Sequence, residues 1–583
     1  MDVSSALATA QVVKGAFLVL TALALTTYKW PENKNAEDLP VCDYTIVGAG
    51  TAGSIIANRL SEDPGVNVCV IEAGGDPPFE SEIPSLFPYL PKTNIDWNFT
   101  SEDDGFSAQY RRNKYIDLPT GKVLGGSSTI HHFYHVRGDP NDYDDWANAS
   151  GDDSWSWQNL LPYFIKSENL EDEYILNSET GKYHGTNGYL RLTRENRDLP
   201  LKYLKAFKEM GHKIVEDVNA GETLGFTRPL FSISGGVRQS SASSYLTPIK
   251  DRQNLYIVKN TMVTKIIFDG NKQATGVQCI TSDGNAITIN TQKEVIISAG
   301  AFNTPKLLML SGIGPRHHLN NLGIEVLSDL PVGENLQDHM AVILIHKLEA
   351  TTETPPAADP TKFPLPTFIG LGAVNKSQSY PDYMTLNLIS RNYPAALMQL
   401  CSSVFALHDD VCSQMYAAGV DREVLFTVMN VGRPISRGHV ELRSANPEDP
   451  PIIYTGFLSA NADIIKNIDS IIDYIRITES DYFRNVGGET MYFDLPNCRN
   501  LSSSTRAYWR CYILNMMDTT FHYSSTCPMG SVLDSSLRVK GVSKLRVADA
   551  SAMPNIVSSN INAAVVVLAE KAADLIKYSQ PCA

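Results

Sequence analysis

The chain is poor in the features that mark a stapled miniprotein, a metal protein or a nucleic-acid binder. Nine cysteines are spread over 583 residues, far below the density of a disulfide scaffold. No Cys-x-x-Cys pair and no His/Cys cluster has zinc-ligand spacing, so no metal site is expected. Positive charge is scarce. Forty-nine Lys and Arg stand against 64 Asp and Glu, a net charge of −15, with no basic tract to offset it. Such a surface repels a phosphate backbone, and nucleic acid is not an expected partner. There is no internal repeat and no low-complexity segment. Long apolar runs are missing too. The nearest, Ala16 to Leu25, follows Lys14 and precedes polar Glu32 to Asp38, and it is too short for a comfortable bilayer span. It reads as a secretory signal, with a retained signal anchor or a buried helix as alternatives. No stable membrane span is expected, and a secreted, extracellular protein is. Four Asn-x-Ser/Thr sequons, at Asn98, Asn148, Asn375 and Asn500, fit that compartment. There, Cys401/Cys412 and Cys498/Cys511, each close in sequence, are candidates for local bridges. The odd cysteine count leaves at least one thiol unpaired, and Cys69, inside an apolar strand, reads as core.

What is present begins with a glycine turn. Tyr44-Thr-Ile-Val47 is a short apolar strand, Gly48-Ala-Gly-Thr-Ala-Gly53 follows it directly, and Ile55-Ile-Ala57 starts a helix. Val68-Cys-Val-Ile71 is a second strand that ends on Glu72, 24 residues after Gly48. This is the layout of a dinucleotide-binding βαβ unit. Gly48 allows the sharp turn, and Gly50 lets the backbone approach a pyrophosphate. Gly53 lets the helix pack on the strand, with its N-terminal dipole towards the phosphates. Glu72 can accept the hydroxyls of an adenosine ribose.

The length and a hydrophobic content of 43% predict two intertwined domains. Residues 1–40 read as targeting segment and linker, and residues 76–118 as an extended loop rich in Pro and Asp. Short helices are predicted between Asp142 and Leu170. Residues 254–258 and 263–268 alternate like paired strands that 274–279 continue. Glu294 to Ile297 reads as a buried strand, followed by a helix from Thr304 with Pro305 in its first turn. Residues 340–420 read as substrate-facing insertions, His439 to Arg443 as a strand of a second sheet, Leu545 to Ala548 as a short buried strand, and Asn562 to Lys577 as a long helix.

Four further segments complete the pattern: Gly121-Lys-Val-Leu-Gly-Gly-Ser-Ser128, Gly300 to Pro315, Pro331 to His339, and Phe521-His-Tyr-Ser-Ser-Thr-Cys-Pro-Met-Gly530 with Leu545 to Asp549 and Ser559-Asn-Ile-Asn562. In this order and spacing they resemble the glucose–methanol–choline oxidoreductases from about residue 42 to the C-terminus. The tail and the N-terminal segment look most like the insect branch, which includes glucose dehydrogenases and ecdysone oxidases. The resemblance implies a mixed α/β fold. A Rossmann-like FAD-binding domain would occupy mainly residues 41–335 and 516–583. A discontinuous substrate domain on an antiparallel sheet would occupy mainly 336–515, with an insertion near 150–235.

The same resemblance implies FAD as cofactor and an alcohol as substrate, with O2 or a quinone-like molecule as electron acceptor. It puts Gly48, Gly50, Thr51 and Ala52 at the pyrophosphate, with Val123, Gly125, Gly126 and Ser127 wrapped around it, Val263 at the adenine, and Asp549 with Ala550 at the ribityl or pyrophosphate portion, Asp549 alternatively being a helix cap. His522 becomes the base that takes the hydroxyl proton as hydride leaves for the flavin. Asn562 becomes the amide beside it, alternatively a cap, and Asn560 a helix N-cap. Two positions depart from the family pattern. His131 stands where Asn is usual, as a flavin contact or a covalent 8α attachment point. Ser525 stands for Gly, at little cost if its backbone avoids left-handed space. Pro528 also replaces a common basic residue. A bulky apolar or steroid alcohol such as an ecdysteroid is the expected substrate. The alternatives are glucose, a flavin-containing lyase without net redox chemistry, or an inactive secreted relative.

Overall fold

The computed structural model describes residues 28–578 apart from 112, 354 and 356–358. The apolar run at 16–25 and Cys582 therefore lie outside the described residues. Two large sheets, each over its own hydrophobic core, organise the rest.

The first sheet is mixed. Strands Cys42–Val47, Val68–Ile71 and Leu255–Val258 run parallel side by side, and Leu545–Val547 is parallel to Ala286–Ile297, which also pairs with Cys42–Val47. Cys42–Val47 and Val68–Ile71 are almost wholly buried, and Ala286–Ile297 is so from Glu294 onward, as expected of strands covered on both faces. Helix Thr51–Leu60 lies against the C-terminal helix Asn562–Tyr578. A buried ion pair joins them: Arg59 Nε and Nη2 each donate to Glu570 at 2.8 Å, and the Tyr245 hydroxyl donates to the same carboxylate at 3.1 Å. The two charges satisfy each other in a bidentate geometry, and Glu62 at 3.1 Å from Arg59 Nη1 and Lys166 at 3.3 Å from Glu570 extend the network.

The second sheet is antiparallel. Met340–Ala350, Arg422–Val431, Tyr383–Arg391 and Thr367–Gly372 form its centre. Gly225–Thr227 closes one edge, and Glu489–Met491 with Asp518–Thr519 the other. Residues 340–420 are therefore not mere insertions: they supply three core strands of this sheet, while Phe363, Leu386, Leu388, Leu400, Val404 and Phe405 face the cavity. Their strands are buried on both faces, so the alternation that would betray them is absent.

Other readings also change. Leu255–Val258 does not pair with the next strand: Asn260, at φ +51°, turns the chain, and Thr261–Phe268 pairs instead with Ala274–Thr281. His439–Glu441 forms a separate two-stranded ribbon with Ile452–Tyr454. Cys69 is not plain core. It is bonded to Cys42 because their strands are neighbours, while Cys401–Cys412 and Cys498–Cys511 are the two local bridges. Pro305 lies inside helix Gly300–Leu310, beyond the first turn. Its ring leaves the Ala301 carbonyl without a helical donor. The Thr526 hydroxyl fills that vacancy at 2.7 Å, tying the loop that follows His522 to the helix after strand Ala286–Ile297.

Candidate active site

One deep cavity runs between the two sheets, from the glycine turns to the face of the antiparallel sheet. At its first end, Gly48 turns at φ +95°, and a Cβ there would lie 2.5 Å from the Ser298 carbonyl. A Cβ on Gly53 would meet the Gly48 carbonyl at 1.9 Å. Gly50 has no such obstacle and faces the cavity. The second glycine turn backs onto the first, since a Cβ on Gly126 would stand 2.7 Å from Gly50 Cα. Gly125, at φ +86°, donates its N–H to Ala49 O at 2.8 Å. Gly48, Gly50, Thr51, Ala52, Gly126 and Ser127 line the cavity, as do Glu72, Val263, Asp549 and Ala550. Gly53, Val123 and Gly125 do not line it; they pack behind and hold the turns in shape.

The two acids are braced by the chain itself. Glu72 accepts from Ala49 N and Gly74 N, both at 2.8 Å, and burial pushes its carboxyl up to about 7. Asp549 accepts from Gly300 N, Thr304 Oγ1, Ser551 N and Ser551 Oγ. It caps the short turn Ala550–Ala552 and joins it to the start of helix Gly300–Leu310.

At the far end sits His522, almost fully buried. A chain of hydrogen bonds fixes its proton. His339 Nε2 lies 3.0 Å from the Gly432 carbonyl and can only donate there, so its Nδ1 carries a lone pair. That lone pair faces His522 Nδ1 at 2.9 Å, so His522 carries its hydrogen on Nδ1. His522 Nε2 then presents a lone pair, met by Asn560 Nδ2 at 2.9 Å. Thr520 Oγ1 also lies 2.9 Å from His522 Nδ1. Asp338 accepts the His522 backbone N–H at 2.9 Å and anchors the loop, its own carboxyl pushed up to about 7 by burial. Burial holds the His522 imidazole well below its ordinary value. It is therefore neutral at physiological pH, the form a base needs.

The amide beside His522 is thus Asn560. Asn562 lies at the start of the C-terminal helix, where its Oδ1 accepts from Thr51 Oγ1 at 3.5 Å. Both line the cavity, yet only Asn560, one step before the helix turn, reaches the imidazole. His339 and Asp338 were also missed as site residues, although both end a motif visible in the sequence. Ser525 does adopt left-handed backbone, at φ +68°, contrary to the low-cost expectation; Phe133 and Phe521 share that geometry at +66°. His131 Nδ1 accepts from Arg238 Nη1 at 3.0 Å and Phe133 N at 3.2 Å. Its Nε2 is buried without a protein partner among the described residues. Only Nε2 remains for a cofactor contact of either kind.

The open space beside Gly50, the two abutting glycine turns and the orphaned Nε2 of His131 fit a dinucleotide that continues into a ring system near His522. Fold and site define a flavin-type dinucleotide-binding oxidoreductase. Known proteins agree. Residues 42–341 and 434–569 match the N- and C-terminal domains of the GMC oxidoreductases. The chain is 37% identical to an ecdysone oxidase of Spodoptera littoralis, over 92% of this chain and 91% of the relative. It is 34% identical to a glucose dehydrogenase [FAD, quinone] of Drosophila pseudoobscura pseudoobscura, over 92% and 86%. Among solved structures, pyridoxine 4-oxidase from Mesorbium loti superposes with a TM-score of 0.78 at 26% identity, covering 93% of this chain and 100% of that one. Formate oxidase does so with 0.78 at 27%, covering 92% and 98%. The chain belongs to the glucose–methanol–choline (GMC) oxidoreductase family. It is an FAD-dependent enzyme that oxidises CH–OH groups. No helix among the described residues is long and apolar enough to cross a membrane.

Proposed function

We propose that this enzyme oxidises a bulky, largely apolar secondary alcohol, with an ecdysteroid 3-hydroxyl as the concrete candidate. The carrying observation is the wall opposite His522. Leu386, Leu388 and Val428 come from the antiparallel sheet, and Phe363, Val404 and Phe405 from the segments over it. A sugar would leave its hydroxyls unpaired against such a surface, so glucose is the less favoured substrate.

The residue chemistry follows from the hydrogen-bond chain. The substrate hydroxyl donates to His522 Nε2, and the Asn560 amide swings to support the same oxygen. His522 takes the proton as the C–H bond breaks, becoming an imidazolium whose Nδ1–H still points at His339. Bound FAD supplies the hydride acceptor. The apolar wall excludes water and orients the carbon skeleton. Thr51, Gly50, Gly126 and Ser127 are assigned to the pyrophosphate, Glu72 and Val263 to the adenosine end, and His131 to the ring system. Reoxidation is by O2 or a quinone-like acceptor.

Export is part of the proposal. Three disulfides and four sequons with exposed asparagines suit an oxidising, glycosylating compartment.

Anaerobic mixing with ecdysone, glucose, and simple aliphatic and aromatic alcohols tests this. Ecdysone is expected to bleach the oxidised flavin band fastest, and His522→Ala to slow bleaching by about 10²–10⁴-fold. Preferential bleaching by glucose would overturn the substrate assignment. Aerobic turnover compared with turnover on a soluble quinone then separates the two acceptors.

A further inference from the structure

The cavity wall carries a second, half-buried imidazole beside the base. We propose that His132 is a specificity-determining residue that hydrogen-bonds a second oxygen of the alcohol substrate. This rests on the reading of the cavity as an alcohol-oxidising site.

His132 lines the cavity, and its ring makes no hydrogen bond to any described residue. Its neighbours are apolar rings. Phe87 lies 4.5 Å away, centroid to centroid and tilted, and Phe521 lies 5.5 Å away edge-on. Phe521 directly precedes His522, so the ring of His132 is held near the reacting centre. Among the other polar groups at this end, Asn560 Oδ1 and the Tyr523 hydroxyl are without a described partner as well, the first on the amide already beside the base, and the rest are committed. The Tyr134 hydroxyl is 2.9 Å from Thr367 Oγ1, and Thr520 Oγ1 and Asn560 Nδ2 serve His522.

An imidazole in such a place is costly unless something pairs with it, because its polar atoms give up water and gain nothing. A phenylalanine or leucine would line an apolar pocket better. Arg238 sits nearby, its guanidinium carbon 3.8 Å above the Phe133 ring and Nη1 on the His131 carbonyl at 2.7 Å. Burial and that positive charge hold His132 down to about 3, so the ring is neutral. It offers one N–H and one lone pair, and it can serve a hydroxyl or a carbonyl. The substrate is therefore an apolar skeleton with a second oxygen near the carbon that is oxidised.

The test uses the flavin-loaded enzyme with 5α-androstan-3β-ol and the same steroid bearing one more hydroxyl on ring A, supplied as each positional isomer. Affinity is read twice: from perturbation of the flavin spectrum on binding, and from the concentration dependence of flavin reduction. One isomer is expected to bind about tenfold more tightly than the mono-ol, the worth of one good hydrogen bond. His132→Phe should bring that gap within twofold, while His132→Gln retains part of it and the reduction rate at saturation stays within a few-fold. A gap that survives in His132→Phe, no gap for any isomer with the parent enzyme, or an equal loss for mono-ol and diol would each overturn the proposal. If His132→Phe loses its flavin, His132→Leu and the glutamine variant decide. The two readings fail separately. Tighter diol binding without bleaching by any alcohol would sink the redox substrate and leave His132 standing, and bleaching without a gap would do the reverse.

Discussion

Replacing His339 by leucine removes the group that decides where the His522 proton resides. In the parent enzyme, the Gly432 carbonyl takes the His339 Nε2 hydrogen, and the free Nδ1 takes that of His522 at 2.9 Å. Without it, His522 Nδ1 keeps only Thr520 Oγ1. A neutral hydrogen bond is worth about 0.5–1.5 kcal/mol net. Losing it shifts the balance between the two imidazole tautomers by roughly 2–10-fold. The tautomer with hydrogen on Nε2 cannot accept the substrate proton, so flavin reduction at saturating alcohol should slow by roughly that factor. This stands far short of the 10²–10⁴-fold expected for loss of the base itself. A second effect has a definite sign. His339 is itself neutral, held down to about 4 by burial, and accepts the Nδ1–H in a bond that strengthens once His522 is charged. Its removal makes the imidazolium harder to form, and the acid limb of kcat/KM moves to lower pH. Stopped-flow reduction under anaerobic conditions between pH 5 and 9 measures both effects, and 15N shifts of labelled histidine report the tautomer directly. An unchanged rate with an unmoved acid limb would refute the proton assignment. So would a limb that moves to higher pH.

The parent enzyme's kcat/KM should stay flat on the acid side to below about 6.5, the ordinary histidine value, because His522 is held below it; a limb at or above that value would contradict this. Asn560→Ala should slow flavin reduction by about tenfold with flavin content intact, while Asn562→Ala should change flavin retention or melting and leave the reduction rate nearly alone; the opposite pattern would return the role to Asn562. Ser525→Gly should stabilise the protein by about 0.5–1 kcal/mol, since left-handed backbone costs an L-residue about 1–2 kcal/mol and glycine's extra chain entropy takes back part of that; calorimetry decides, and a lower melting point counts against it. Glu72 and Asp338 have carboxyls pushed up to about 7, so between about pH 4 and 7 the folded state binds more protons than the unfolded one. Stability should therefore fall as pH rises through that window, less steeply in Asp338→Asn, as melting curves from pH 4 to 8 would show.

The cofactor end was legible because backbone geometry leaves no choice there. A Cβ on Gly48 or Gly53 collides with a carbonyl, so only glycine fits, and the spacing to Glu72 survives in sequence. The substrate end was not legible, for three different reasons. The strands of residues 340–431 are buried on both sides and show no period. Asn560 and Asn562 differ only in standing before or at a helix start, and nothing local says which one meets a histidine from a distant loop. Cys42 and Cys69 are brought together by adjacent parallel strands, a relation that exists only after the sheet has formed. His339 was within reach, since it ends a motif of the family, and a second buried histidine near a base is a cue to look for a partner.

The Cys401–Cys412 bridge sits in the wall of the substrate end. It fastens the turn that carries Leu400 and Val404 to helix Asp409–Ala418, and none of these belongs to the residues assigned to the flavin. Yellow colour and cofactor stoichiometry are therefore blind to it. A protein in which this one bridge is open would pass as intact holoenzyme while its pocket was unlaced on one side, and it would bind alcohols loosely and with little choice among them. Discrimination between alcohols, measured before and after oxidative refolding, is the quality control that this architecture demands.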